Sequence, residues 1–160
     1  MEHNSIYTRQ VESLFTGLPT LGSKEHSKMI SFCEENRVQV LSTLPWAAAE
    51  IAGIDGFETM MEIIHKVGGR RLYLYNNVHR LNEKLNVSIS INLYQRLSSH
   101  LSTDRFLDIP STWGIFIALR RAAIQRALMR GAPNKDIVAL FGVTERSLRK
   151  QRKTMGLNTV

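Results

Sequence analysis

The sequence holds one cysteine, Cys33, in 160 residues. An internal disulfide framework is therefore excluded, and such sparse usage fits a reducing cytoplasm. No apolar run approaches the ~20 residues that a bilayer-spanning helix needs, so no membrane partner is expected. No Lys/Arg-led apolar stretch opens the sequence, so no secretory signal is expected. Metal-ligand spacing is also lacking: His65, His79 and His100 lie apart, with no cysteine or acidic partner at the right interval. A glycine-rich phosphate loop is missing, and Gly68-Gly69 alone is a weak signal. Ser98 and Ser99 beside His100 form no triad, because adjacent helical positions do not face each other. These absences argue against an enzyme and imply no cofactor and no metal. Low complexity is missing too. With 43% hydrophobic and 22% charged residues the chain has the composition of one compact unit or two small ones, not of a disordered segment.

Acidic residues are nearly absent from the last third. From Thr112 onward ten bases (Arg120, Arg121, Arg126, Arg130, Lys135, Arg146, Arg149, Lys150, Arg152, Lys153) face two acids, Asp136 and Glu145, or 10 − 2 = +8. The first 111 residues carry the other eleven bases and twelve acids, so the whole formal excess of +7 sits at one end. A positive arm on a neutral body suits a polyanion, since neutralising phosphates releases condensed counterions. The plainer alternative is a solvated basic tail.

The apolar spacing predicts a mainly helical chain. A short amphipathic helix is expected over 5–15, with Tyr7, Val11, Leu14 and Phe15 on one stripe. Ser23 caps a second helix through Glu35 that buries Met29, Phe32 and Cys33. Residues 38–41 read equally as helix or strand. Thr43-Leu44-Pro45 reads as the start of a helix that stops near Gly53. Asp55 then caps a helix carrying Phe57, Met60, Met61, Ile64 and Val67, ended by Gly68-Gly69. Residues 70–75 read as a strand with Leu72 and Leu74 on one face and Tyr73 and Tyr75 on the other. Val78, Leu81 and Leu85 mark a short helix broken at Asn86, and Ser88 starts the next, with Ile89, Leu93, Leu97 and Leu101 in register. A second strand candidate, 105–109, follows. Helix, basic residue and strand thus recur with a period near 35 residues. A strand leaves backbone groups unpaired, so 70–75 needs a partner, either 105–109 or a second chain.

The strongest pattern comes last. Ser111-Thr112 caps a long helix with Trp113, Phe116, Ile117, Ile124 and Leu128 on its apolar face, closed by Gly131 and Pro133. Asn134 caps a helix to Phe141, Gly142-Val143 turns, and Thr144 caps a helix over 145–153. This is the grammar of a helix-turn-helix. Ile137, Val138 and Phe141 are expected to clamp Val143 and Leu148. The outward face then carries Arg146, Arg149, Lys150 and Lys153, which suit guanine edges in a major groove. Asn134, Lys135, Thr144, Glu145 and Ser147, at the two helix starts, complete the candidate DNA contacts.

Residues 68–74, Gly-Gly-Arg-Arg-Leu-Tyr-Leu, are similar to the Gly-Gly-x-x-hydrophobic-Tyr-Ile-Pro element of the Mor/C family, the middle and late transcription activators of Mu-like phages. The helix over 54–67 resembles the one leading into that element, and 118–153 resembles the family's helix-turn-helix. Residues 104–110 resemble a duplicated copy without the double glycine, and Tyr75 stands where the family has proline. Coverage runs from Leu44 to Lys153. The resemblance implies a helical dimerisation region, residues 1–111, with one or two short β-strands, followed by a C-terminal helix-turn-helix, residues 112–160. It implies a homodimeric, cytoplasmic activator on an inverted-repeat promoter site of a phage, plasmid or other bacterial mobile element, with RNA polymerase as a further partner. Carried over by position, Gly68 and Gly69 form a hinge, and Leu72, Tyr73 and Leu74 pair across the dimer. Two other readings remain open. One is a ribbon-helix-helix regulator reading DNA through Arg71, Tyr73 and Tyr75; the other is an adaptor whose basic face holds an acidic protein.

Overall fold

The computed structural model describes residues 18–157. Among them are nine helices and two strands: α1 (Lys24–Glu35), α2 (Arg37–Thr43), α3 (Trp46–Asp55), α4 (Phe57–Val67), β1 (Arg71–Tyr73), α5 (Val78–Leu85), α6 (Ile91–Ser99), β2 (Phe106–Asp108), α7 (Thr112–Met129), α8 (Asn134–Phe141) and α9 (Glu145–Thr154). The protein is thus mainly α with one small antiparallel sheet. The helix expected over 5–15 lies outside the described residues.

Most helix ends follow local chemistry. Ser23, Asn77, Ser90, Ser111 and Thr144 each accept a backbone N–H from the first turn of the helix that follows, the capping geometry that satisfies orphan donors. Met29, Phe32 and Cys33 are buried on α1, and Phe57, Met60, Met61 and Ile64 on α4. Residues 38–41 are helical, inside α2.

Several expected caps do other work. Thr43 ends α2, donating its hydroxyl to the Val40 carbonyl at 2.9 Å, and Pro45 is the residue before α3. Helix α3 runs past Gly53 to Asp55. Asp55 caps nothing in its own segment. Its carboxylate accepts the Ser90 backbone N–H at 2.8 Å and also the Ser90 hydroxyl. That contact selects Ser90 over Ser88 as the start of α6. Trp113 is not on the buried face of α7 but 65% exposed. Helix α7 buries nine residues, Ile115, Phe116, Ala118, Leu119, Ala122, Ala123, Ile124, Ala127 and Leu128. Its apolar surface is therefore wider than the expected stripe, and Trp113 lies outside it.

The strand at 71–73 has its mate in the same chain. β1 and β2 pair antiparallel, with Arg71 opposite Asp108, Leu72 opposite Leu107 and Tyr73 opposite Phe106. The pair is extended by Leu74 N–H to Arg105 O at 2.8 Å and Ile109 N–H to Arg70 O at 3.0 Å. The expected pairing of β1 across a dimer loses its physical reason, because the backbone groups needing a partner find one at 105–109. Leu74 is fully buried (0% exposed) and Leu72 half-buried within the chain's own core. Gly68 and Gly69 weld the ribbon to the body rather than forming a hinge. Gly69 donates to the carbonyls of Ile109 and Pro110 at 3.0 and 3.2 Å. A Cβ at Gly68 would run into the Ile64 carbonyl oxygen and meet the Pro110 carbonyl oxygen at 3.1 Å, so only glycine fits that crossing.

The two strands start 35 residues apart, and each follows a helix (α4, α6) that packs on the shared core. Arg105, the basic residue ahead of β2, has φ +59, a region that side-chain-bearing residues seldom occupy. Its guanidinium holds it there. Nε donates to Leu74 O at 2.8 Å, and Nη2 to Tyr75 O at 3.3 Å and to the Tyr94 hydroxyl at 3.2 Å. One buried cluster runs from Met29 to Leu148.

Candidate nucleic-acid interface

Helix α7 ends at Met129 with Arg130 as its cap, and Pro133 precedes α8. Gly142 closes α8 with φ +64, a left-handed turn that glycine enters without steric cost. Thr144 Oγ1 then accepts the Ser147 N–H at 3.1 Å and starts α9. Ile137 and Phe141 from α8 and Leu148 from α9 belong to the buried core, with Val138, Val143, Met155 and Leu157 half-buried against it. Arg120 of α7 donates from Nη2 to the Phe141 carbonyl, which satisfies a carbonyl that α8 leaves open at its end.

Helix α9 has two faces. Leu148, Gln151, Arg152 and Met155, spaced i, i+3, i+4 and i+7, turn inward as buried or half-buried residues. Arg146, Arg149, Lys150 and Lys153 repeat that spacing on the opposite side and are exposed. Among the described residues, the acidic contact on this stripe is Glu145 Oε2 to Arg149 Nη2 at 3.6 Å, a solvent-exposed i, i+4 pair of the kind worth a few tenths of a kcal/mol. Lys135 is exposed on α8, and Ser147 is half-buried.

Asn134 departs from expectation twice. Pro133, not Asn134, precedes α8, and the Asn134 side-chain oxygen accepts both Nε and Nη2 of Arg152 at 3.0 and 2.6 Å. This fork ties the start of α8 to the end of α9. The oxygen is thereby spent on the fold, as is one of the ten bases counted toward the positive arm. Conversely, Arg121 was not singled out. It is exposed on α7 and lines a cleft with Gln125, Lys150, Gln151, Thr154 and Met155, extending the basic stripe onto a third helix. The sequence does not separate it from Arg120, which is half-buried on the same helix and bonds inward.

The ribbon is a weaker place for a polyanion. Arg71 is bracketed by Asp108 at 3.3 Å and Asp104 at 3.7 Å, so its charge is largely answered. The Ser102 hydroxyl, then the Phe106 backbone, hold the Asp104 carboxyl below its usual pKa, which keeps it anionic. Elsewhere, burial and then Glu34 push the Cys33 thiol up to about 12, a protonated and inert group. His79 pairs with Glu83 on the surface, and the His100 ring lies 5.0 Å from Trp46. Among the described residues no group of three or more His, Cys, Asp or Glu could hold a metal ion, and no helix is long and apolar enough to cross a membrane.

Fold and site together define a mainly helical protein with a two-stranded ribbon and a basic helical pair at its carboxyl end. A scan against models of known protein families found no match to this chain, and neither did searches of curated proteins and of solved structures.

Proposed function

We propose that this chain is a sequence-specific double-stranded-DNA-binding regulator of transcription, with α8 and α9 as a helix-turn-helix and α9 as the helix that enters the major groove. The observation that carries the reading is the division of α9. One buried leucine and a carboxamide–guanidinium fork hold its inner side, while four cations at helical spacing face outward with one weak acidic contact. A purely structural helix gains nothing from crowding like charges on one face, whereas a groove-binding helix gains counterion release and base contacts. Arg146, Arg149 and Lys150 are assigned to base edges. Lys135, Thr144, Lys153 and Arg121 are assigned to phosphates.

The resemblance to Mor/C activators, carried by residues 68–74 and 118–153, supports activation, a homodimer on an inverted repeat, contact with RNA polymerase and a cytoplasmic setting in a bacterial mobile element. The ribbon-helix-helix alternative is disfavoured, because β1 is paired within the chain and Arg71 is engaged by two carboxylates.

The test begins with selection from a random duplex library, followed by titration of the selected site and of random DNA. Arg149→Ala should cost about 1–3 kcal/mol on the selected site and far less on random duplex. Lys135→Ala should weaken both alike and lower the salt slope by about one. Failure of any sequence to enrich, or equal losses for Arg149→Ala on both duplexes, would reject the assignment and leave the adaptor reading.

A further inference from the structure

The β1–β2 ribbon turns one face inward, with Leu74, Leu107 and Ile109 buried. Strand alternation therefore puts Arg71 and Tyr73 of β1 and Phe106 and Asp108 of β2 on the opposite face, and all four are exposed. Tyr73 and Phe106 are 39% and 42% exposed. Their rings meet edge to face with centroids 5.4 Å apart, and Tyr75 stands 5.2 Å beyond Tyr73. The Arg71 guanidinium lies 5.1 Å over the Phe106 ring. A contiguous aromatic stripe left open by its own chain is the mark of an interaction surface.

The charges on this face choose the partner. Arg71 is balanced by Asp104 and Asp108, so phosphates gain little here. The register makes the face complementary to itself. Across the ribbon a cation sits opposite an anion and an aromatic opposite an aromatic: Arg71 with Asp108, Tyr73 with Phe106. A two-fold axis parallel to the strands lays β1 of one copy over β2 of another. That operation sets each Arg71 against the partner's Asp108 and each Tyr73 against the partner's Phe106, the reciprocal pattern of an isologous dimer. We propose that two copies of this chain associate face to face through the outer surface of the β1–β2 ribbon. The proposal rests on the two-copy part of the function above, but it places the contact on the ribbon's face, where the strand edge had been expected. Strands of three residues span only about 10 Å, so the face of a two-stranded ribbon covers far less than the ~800 Å² per partner of a standard interface. The ribbon is thus the centre of the contact, and the association is expected to be reversible and concentration-dependent.

Sedimentation of the full chain without DNA tests it, so the result is independent of whether α9 reads DNA. Wild type should pass from monomer to dimer as concentration rises. Arg71→Asp and Asp108→Arg, each checked for wild-type melting, should both stay monomeric, because each places like charges against its own copy. Mixed one to one, they should recover the dimer as a heterodimer, since every facing pair is then of opposite sign. An intrachain role for the 71–108 pair predicts no recovery, because that pair is broken within each variant. Tyr73→Ser should shift wild-type association to at least tenfold higher concentration. A wild type that stays monomeric at every concentration, single variants that still dimerise, or a mixture that stays monomeric would overturn the proposal. So would binding of a single-stranded oligonucleotide that quenches Tyr73 in a monomeric chain, which would make the stripe a base-stacking surface.

Discussion

Leu148 offers the sharpest probe of how α9 is held. It is the one buried residue of that helix and is 0% exposed. Leu148→Ala removes three carbons from a closed site, worth about 2.4 kcal/mol at ~0.8 kcal/mol per carbon, and the cavity left behind brings the loss into the range of about 2–5 kcal/mol. Besides the half-buried Met155 and Leu157, two polar ties oppose the release of α9. The Thr144 cap is worth about 1 kcal/mol, and the Asn134–Arg152 fork about 1.5–3 kcal/mol. The missing energy therefore exceeds the cap and is at least comparable to the fork. The loss should fall on local opening of α9 while the body, whose core extends back to Met29, stays folded. Amide hydrogen exchange should show protection over 145–154 falling by at least tenfold, with α4 and α7 unchanged and the main thermal transition moved by only a few degrees. Binding to any selected duplex should fall in parallel. Unchanged protection in α9, or the full loss appearing in one global transition, would refute the argument that a single leucine holds this helix to the body.

Other consequences follow from the same geometry. Gly68→Ala forces a Cβ against the Ile64 and Pro110 carbonyl oxygens and should cost at least 1–3 kcal/mol, roughly 2–10 °C in Tm. A melting curve indistinguishable from wild type would disprove the close approach. Arg105→Ala removes three hydrogen bonds and leaves a positive-φ residue unsupported, so about 1–3 kcal/mol should be lost in urea unfolding, whereas Arg105→Gly should lose less. Cys33 should react with a thiol reagent far more slowly at pH 8 in the folded chain than in urea, since its pKa is pushed up to about 12. The sign for stability follows: above the ordinary thiol pKa the unfolded chain ionises and the folded one does not, so this thiol lowers stability as pH rises from about 9 toward 12. Equal labelling rates in the two states would show the burial to be wrong.

Much of the architecture was legible from local signals. Ser23, Ser111 and Thr144 cap where their spacing from the following apolar residues predicted, Asn86 and Gly142 turn left-handed at helix ends, and Ile137, Phe141 and Leu148 are buried. The outward stripe on α9 was readable for the same reason: helical spacing alone places 146, 149, 150 and 153 on one side. The misplacements share a different cause. Thr43, Asp55, Asn134 and Ser88 all have side chains able to cap, and such a side chain can instead serve another group: Thr43 the Val40 carbonyl, Asp55 the distant Ser90 and Asn134 the Arg152 guanidinium.

What the sequence by itself determined, then, is the order of elements, their ends and the concentration of charge at one terminus, because each depends on neighbours within a turn or two. Only the tertiary structure decided that β1 finds its mate 35 residues on, that Asp55 reaches Ser90 and that Arg152 is turned inward onto Asn134. Those are choices among chemically equivalent partners far apart along the chain. They are settled by which surfaces the buried core brings together, and residue spacing carries no information about that.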